Sequence, residues 1–120
     1  MATILLVDDE PALRAMLAEL FTDAGHTVVE AENGRAALAL LPTALPQLVL
    51  SDVMMPLMGG LELCQRMKAH PATARLPVIL MSAVQCATEA TRVGADALLA
   101  KPFDITQLAE LVQRLLSSEH

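Results

Sequence analysis

The sequence predicts an α/β fold, a doubly wound five-stranded parallel sheet with helices on both faces. Five short apolar segments alternate along the chain with five segments whose apolar residues recur at helical spacing. Parallel strands need crossover connections of this kind, and right-handed crossovers place the helices over both faces of an open sheet. The 120 residues suffice for one hydrophobic core, so we predict one domain over residues 1–120.

The first half of the chain contains three of the predicted strands, at Thr3–Val7, Thr27–Ala31 and residues 47–51. A helix with Pro11 in its first turn follows the first strand, and Gly25 is expected to end it because glycine readily adopts positive φ. A second helix is predicted over residues 36–41. Pro42 is expected to end that helix, because proline lacks an N–H and disfavours helical geometry in the residue before it.

The second half contains two further strands and three helices. Strands are predicted at residues 76–81 and at Ala97–Ala100. A helix over residues 61–69 precedes the first of these strands, and a short, weakly patterned helix over residues 86–93 lies between them. Asp104 is a favourable N-cap for a last helix, whose apolar residues recur on one face.

Composition excludes several classes of protein. A net charge of -6, with 8 Lys and Arg against 14 Asp and Glu, argues against direct nucleic-acid binding, because no basic surface can form. The sequence contains neither a membrane-spanning apolar run nor a secretory signal at its start, so we expect a cytoplasmic protein without a membrane partner. Cys64 and Cys86 lack metal-site spacing and are interpreted as ordinary packed thiols.

Polar side chains stand where the predicted strands end. The first strand is followed by Asp8 and Asp9, the third by Asp52, the fourth by Ser82 and the fifth by Lys101. Ligands of doubly wound sheets bind beyond the carboxyl ends of the strands. Singly, each residue is explained by a turn or a helix start, but the combination at one edge predicts a functional site.

The residue types at this edge indicate phosphoryl transfer. Three crowded carboxylates repel one another unless a cation lies among them, and Mg²⁺ is the ion that prefers oxygen ligands and bridges carboxylates to phosphate. The lysine adds a positive charge and the serine can donate to an anionic oxygen. Positioning and charge neutralisation of this kind account for most of the catalysis of phosphoryl transfer.

Several motifs together resemble the receiver domains of bacterial two-component response regulators. They are VDDEP at residues 7–11, SDVMMPLMGG at 51–60, MSA at 81–83, GAD at 94–96 and KPF at 101–103. The resemblance covers essentially the whole chain. It implies the strand order 2-1-3-4-5, a cis bond between Lys101 and Pro102, and a signalling function without enzymatic activity beyond weak self-catalysed phosphoryl transfer and hydrolysis.

The resemblance also implies a role for each site residue. Asp52 would accept a phosphoryl group from a histidine kinase or phosphotransfer protein in a phosphorelay. Asp9 would bind Mg²⁺ directly and Asp8 mainly through a metal-bound water, and the backbone carbonyl of Met54 would be a further ligand. Ser82 and Lys101 would bind phosphoryl oxygens. Phosphorylation would switch an interaction with a downstream protein, which the sequence does not name. The sequence also leaves open whether the chain forms a homodimer.

Two features depart from the family pattern. Leu98 stands three residues before the lysine, where the family usually has Tyr or another aromatic residue, and the segment between Ser82 and Gly94 is about one helical turn shorter than usual. A receiver-like docking module that does not switch therefore remains an alternative function.

Functions of other classes are disfavoured by single positions. Haloacid-dehalogenase-like phosphatases also form an aspartyl-phosphate, but they carry a second acid two residues after the nucleophile. Met54 occupies that position here and cannot act as a general acid. Nucleotide binding is disfavoured because no glycine-rich phosphate loop follows the first strand.

Overall fold

Within the part of the chain that the structure describes, five strands form one parallel β-sheet, as predicted. They are β1 (Thr3–Val7), β2 (Thr27–Ala31), β3 (Leu48–Asp52), β4 (Val78–Ser82) and β5 (Ala97–Ala100). Their order in the sheet is β2-β1-β3-β4-β5, which is the order implied by the family resemblance. The computed structural model describes residues 1–117.

Among residues 1–117, five helices connect and cover the strands: α1 (Pro11–Asp23), α2 (Gly34–Ala44), α3 (Gly60–Ala69), α4 (Ala87–Arg92) and α5 (Ile105–Ser117). Apolar residues of α2, α3 and α4 pack on one face of the sheet, and those of α1 and α5 pack on the other. The sheet is therefore doubly wound, as the alternation of apolar segments predicts.

The strands supply both layers of the core. Along β1, the side chains of Leu5 and Val7 enter one layer, and those of Ile4 and Leu6 enter the other. All four are fully buried, because helices cover both faces of this central strand. This double burial explains why the central strands are continuously apolar rather than alternating.

Helix ends follow the predicted local signals in two places. Gly25 lies just beyond α1 with φ of +96°, a conformation that residues with a Cβ rarely adopt. Asp104 precedes α5, and its Oδ1 accepts hydrogen bonds from the backbone N–H groups of Thr106 (2.7 Å) and Gln107 (3.4 Å). Both predicted helix termini are confirmed.

The predicted end of α2 is wrong. The helix continues through Pro42 to Ala44. Proline has no N–H to donate to the carbonyl four residues earlier, so α2 lacks one intrahelical hydrogen bond, but only Thr43 and Ala44 follow Pro42 in the helix. The N–H of Leu45 closes the helix by donating to the carbonyl of Leu41 at 3.1 Å, with Leu45 in the left-handed conformation at φ of 46°.

Two strand ends lie one residue further along the chain than predicted. Residue 52 is the last of β3 and residue 82 the last of β4. Asp52 pairs in register with Met81, and Ser82 pairs with Ala100. The two polar residues are therefore held by the sheet itself, which gives their side chains better-defined positions than a loop would.

Candidate functional site

Three carboxylates meet at the carboxyl edge of the sheet. Strands β1 and β3 are neighbours in which Val7 is level with Ser51, so the next residues, Asp8 and Asp52, stand beside each other. One carboxylate oxygen from each of Asp8, Asp9 and Asp52 lies within 4.8 Å of the others. Asp9 is exposed, whereas Asp8 and Asp52 are buried. The predicted acidic cluster thus exists in three dimensions.

The two oxygens of Asp8 have different surroundings. Oδ1 accepts a 2.8 Å hydrogen bond from the N–H of Glu10, while Oδ2 is buried and has no hydrogen-bond partner among residues 1–117. Burial raises the pKa of the Asp8 carboxyl above its ordinary value, against the lowering effects of the Glu10 N–H and the Lys101 charge. A buried charge is costly unless it is both paired and hydrogen-bonded, and no residue among 1–117 donates a hydrogen bond to Oδ2, so a cation beside this oxygen would stabilise the carboxylate.

Lys101 brings a positive charge to the cluster from the end of β5. Its Nζ lies 3.3 Å from Oδ2 of Asp52 and 3.8 Å from Oδ2 of Asp8. The Lys101–Pro102 bond is cis, which confirms that prediction. The backbone N–H of Lys101 donates to the carbonyl of Ser82, the last residue of the neighbouring strand β4, at 2.8 Å.

Ser82 is buried at the end of β4, and its hydroxyl bonds locally. The Oγ–H donates to the carbonyl of Val84 at 2.9 Å, and Oγ accepts from the N–H of Val84 at 3.0 Å. This short turn places the hydroxyl on the loop that begins α4. A change in the bonding of Ser82 would therefore alter that loop directly.

The loop after Asp52 is packed tightly through its glycines. A Cβ on Gly60 would overlap the carbonyl oxygen of Asp52, and a Cβ on Gly59 would lie 2.6 Å from the carbonyl oxygen of Val53. The N–H of Gly60 donates to that same Val53 oxygen at 3.0 Å. The glycines of the motif let α3 begin directly over the end of β3, while Met54 in the same loop is 63% exposed.

The donor set of the cluster fits Mg²⁺. Carboxylate oxygens are the ligands this ion prefers, and it binds through one or two carboxylates while keeping several waters. An ion at this cluster would have the buried Oδ2 of Asp8 on one side and the solvent-exposed carboxylate of Asp9 on the other. The residue types and their spacing therefore fit the ion.

The profile of the response regulator receiver domain family matches residues 4–113 of the chain. The chain belongs to this family. The regulatory protein AtoC of Escherichia coli is 44% identical over 116 residues, 94% of this chain and 25% of that protein. The sporulation initiation phosphotransferase F of Bacillus subtilis is 37% identical, and the match covers 94% of this chain and 92% of that protein.

Solved receiver structures share the fold. The receiver domain of a signal transduction histidine kinase from Syntrophus aciditrophicus superposes with a TM-score of 0.90 at 35% identity, covering 98% of this chain and 91% of that one. The response regulator TrrA of Thermotoga maritima, solved in complex with Mg²⁺ and BeF, gives a TM-score of 0.85 at 31% identity, covering 96% and 99%. These receivers carry the same five-stranded doubly wound architecture.

The chain is shorter than the first relatives it matches. It spans 25% of AtoC, 9% of the histidine kinase P4 of Formosa agariphila and 15% of the gliding motility regulatory protein of Myxococcus xanthus. The family membership makes this chain a signalling phosphoacceptor domain. Within residues 1–117, no helix is long and apolar enough to cross a membrane.

Leu98, the main departure from the family pattern, lies in β5 level with Leu80 of β4. It is partly buried and packs on the core layer formed with α2, α3 and α4. The fourth helix is short, as predicted, with six residues from Ala87 to Arg92. The two departures are therefore adjacent parts of one side of this receiver.

Sequence reasoning missed Arg14, whose side chain bonds to the backbone of the acidic loop. Arg14 occupies a position in α1 typical of a residue on a helix surface, and its second partner, Glu30, is 16 residues away in the sequence, so no local pattern indicated its role. A surface groove was also not foreseen. It has a volume of about 760 Å³ and lies away from the acidic cluster, between the C-terminal ends of α2 and α3.

Proposed function

We propose that Asp52 is the residue that accepts the phosphoryl group in this receiver domain. The observation that carries the proposal is its position: Asp52 ends a central strand, lies within 4.8 Å of two further carboxylates, and has the Lys101 ammonium 3.3 Å away. The donor would be a phosphohistidine of a histidine kinase or phosphotransfer protein, in keeping with the relatives that carry those names.

The transfer has a simple balance of bonds. An oxygen of the Asp52 carboxylate attacks phosphorus, the bond between phosphorus and the histidine nitrogen breaks, and the electron pair stays on the imidazole, which leaves. Lys101, now 3.3 Å from the Asp52 carboxylate, would pair with the negative charge of the phosphoryl oxygens. Ser82 would exchange its bond to the Val84 carbonyl for one to a phosphoryl oxygen, which would couple transfer to the loop before α4.

Mg²⁺ would be held by the carboxylates of Asp9 and Asp52 and by the carbonyl of Met54, with Asp8 acting mainly through a metal-bound water. The ion supplies charge neutralisation for the phosphoryl oxygens when it is bound. Receivers at 31% and 26% identity to this chain have been solved with Mg²⁺, the latter with the ion in the active-site cleft. The same groups would support slow self-catalysed transfer from small donors and slow hydrolysis.

Switching of a downstream interaction is favoured over a passive docking role, because the receiver relatives and the acidic cluster both support phosphoacceptance. The test is incubation of the protein with a small phosphodonor and MgCl₂, followed by intact-mass measurement. We expect a gain of one phosphoryl mass that EDTA prevents. No gain, or a gain unaffected by EDTA, would reject the proposed function.

A further inference from the structure

The side chain of Arg14 joins the acidic loop after β1 to the neighbouring strand β2. Its Nη1 donates a 2.6 Å hydrogen bond to the backbone carbonyl oxygen of Asp8, and its Nε donates a 3.0 Å hydrogen bond to Oε1 of Glu30. Arg14 belongs to α1, and Glu30 lies near the end of β2. One guanidinium thus connects three consecutive elements at the edge that carries the acidic cluster.

The bond from Arg14 completes the fixation of the Asp8 backbone. The N–H of Asp8 donates to the carbonyl of Ala31 in β2 at 3.1 Å, so both polar groups of this residue's backbone are engaged. The carbonyl oxygen of Asp8 belongs to the planar peptide group that continues to Asp9. Holding that oxygen therefore sets the direction in which the chain enters Asp9, and with it the relative placement of the two carboxylates.

We propose that Arg14, anchored by Glu30, is a positioning residue that orients the Asp8–Asp9 carboxylate pair for Mg²⁺. The inference rests on the proposed function of the acidic cluster and adds a residue to it. Arg14 acts through the Asp8 carbonyl and contacts neither the metal nor the phosphoryl group. Residues that orient the metal ligands without binding the metal themselves typically contribute a factor of about 10–100 in metal affinity.

Charge and positioning predict opposite effects, so the sign of the result distinguishes them. A guanidinium close to a cation site repels the cation, and its removal would tighten Mg²⁺ binding if charge alone mattered. Loss of orientation would weaken binding instead. Arg14→Met removes the charge and the hydrogen bonds, while Arg14→Lys keeps the charge but cannot reproduce the rigid fork that spans the two acceptors.

The experiment is a titration of the whole chain with MgCl₂, followed by the amide shifts of Asp8, Asp9 and Asp52 in two-dimensional NMR spectra. We expect R14M to weaken Mg²⁺ binding about tenfold and R14K to weaken it by a smaller factor. The matched control is Arg66→Met. Arg66 also pairs with a glutamate, Glu62, but on the exposed surface of α3, and its loss should leave Mg²⁺ affinity unchanged.

A second measurement tests the role of Glu30. It also keeps the inference testable if R14M does not fold, which the same NMR spectra would reveal. Glu30→Gln should weaken Mg²⁺ binding in the original chain and add little in the R14K background, because the two side chains act as a unit. Equal or tighter binding by R14M or R14K overturns the inference, as does an equal loss from E30Q in both backgrounds. Absence of saturable Mg²⁺ shifts in the original protein would instead reject the proposed function.

Discussion

The ammonium of Lys101 lies 3.3 Å from the carboxylate of Asp52, although β4 separates their two strands in the sheet. The lysine follows β5 and reaches across the end of β4 toward β3. This reach places Lys101 over Ser82, whose carbonyl accepts the lysine's own backbone N–H. The three residues therefore form one row along the edge of the sheet.

Asp52→Asn should abolish phosphorylation by a small donor in the presence of Mg²⁺. Asparagine keeps the shape of the side chain but lacks the carboxylate that attacks phosphorus. Intact-mass measurement should find no added phosphoryl group. Asp104→Asn is a suitable control, because Asp104 caps α5 and asparagine is an equally good N-cap, so this variant should be phosphorylated normally. A phosphorylated D52N protein would contradict the assignment of Asp52.

Gly60→Ala should destabilise the protein by about 2 kcal/mol or more and slow its phosphorylation. The added Cβ would overlap the carbonyl oxygen of Asp52, so the end of β3 must shift. Helix propensity alone predicts the opposite, since alanine is favoured over glycine inside a helix. Gly25→Ala provides the comparison: it introduces strain at φ of +96° but meets no atom within 4 Å, so it should lower stability without slowing phosphorylation. Chemical denaturation and intact mass measure both effects.

Stability should fall between pH 9 and pH 11 because of Cys64. Burial raises the pKa of this thiol from 9.0 to about 11, with the Lys68 charge opposing the rise. Between these values the unfolded chain ionises its thiol and the folded chain does not, so stability that is present below pH 9 is lost as the pH rises. The loss is about 3 kcal/mol at one pKa unit per 1.36 kcal/mol.

Cys64→Ala should therefore show a shallower decline in its free energy of unfolding over this pH range, even if its stability at neutral pH is lower. Cys86→Ala keeps the Cys64 thiol and should retain the steep decline. Urea denaturation at several pH values compares the three proteins. Parallel curves for C64A and the original chain would contradict the role given to Cys64.

Leu98 should give the phosphorylated state a weaker or different rearrangement at α4, β5 and α5 than an aromatic residue would. A leucine moves less surface than a tyrosine and has no hydroxyl to pair. Hydrogen exchange comparing the free protein with its beryllofluoride complex should therefore show small changes around Leu98. Leu98→Tyr should enlarge them. Strong changes centred on Leu98 in the original chain would count against the prediction.

The phosphorylated protein should be long-lived. Loss of the phosphoryl group needs a water in line with the bond to Asp52, and the residues two positions beyond Asp52 and Ser82 are Met54 and Val84. Both side chains are exposed, at 63% and 53%, and neither can orient a water. The Met54→Asn, Val84→Glu double variant should dephosphorylate faster, and each 1.36 kcal/mol of added stabilisation of the transition state is worth about tenfold in rate.

Decay of the phosphorylated mass after removal of the donor, with Mg²⁺ retained, measures this lifetime. A matched control is Met16→Asn, which alters an exposed methionine of α1. The control should decay at the original rate. Equal rates for the double variant and the original chain would show that these two positions do not limit the approach of water.

The sequence alone determined the alternation of strands and helices and the polar residues at the ends of four of the five strands. These features follow from constraints on short segments. Strands that are buried on both faces are apolar throughout, and the connection between two parallel strands is a crossover, usually an α-helix. Such constraints act within a few residues, so Thr3–Val7, Ala97–Ala100 and the Asp104 cap could be located without the structure.

The tertiary structure decided what depends on neighbours that are distant along the chain. Pro42 stays inside α2, where it removes one hydrogen bond and only Thr43 and Ala44 follow it before the helix ends. Asp52 and Ser82 close their strands because the sheet register extends to Met81 and Ala100. The bond from Arg14 to the Asp8 carbonyl depends on β2 bringing Glu30 alongside α1. No local pattern encodes such a contact, because its free energy arises only when separate elements pack together.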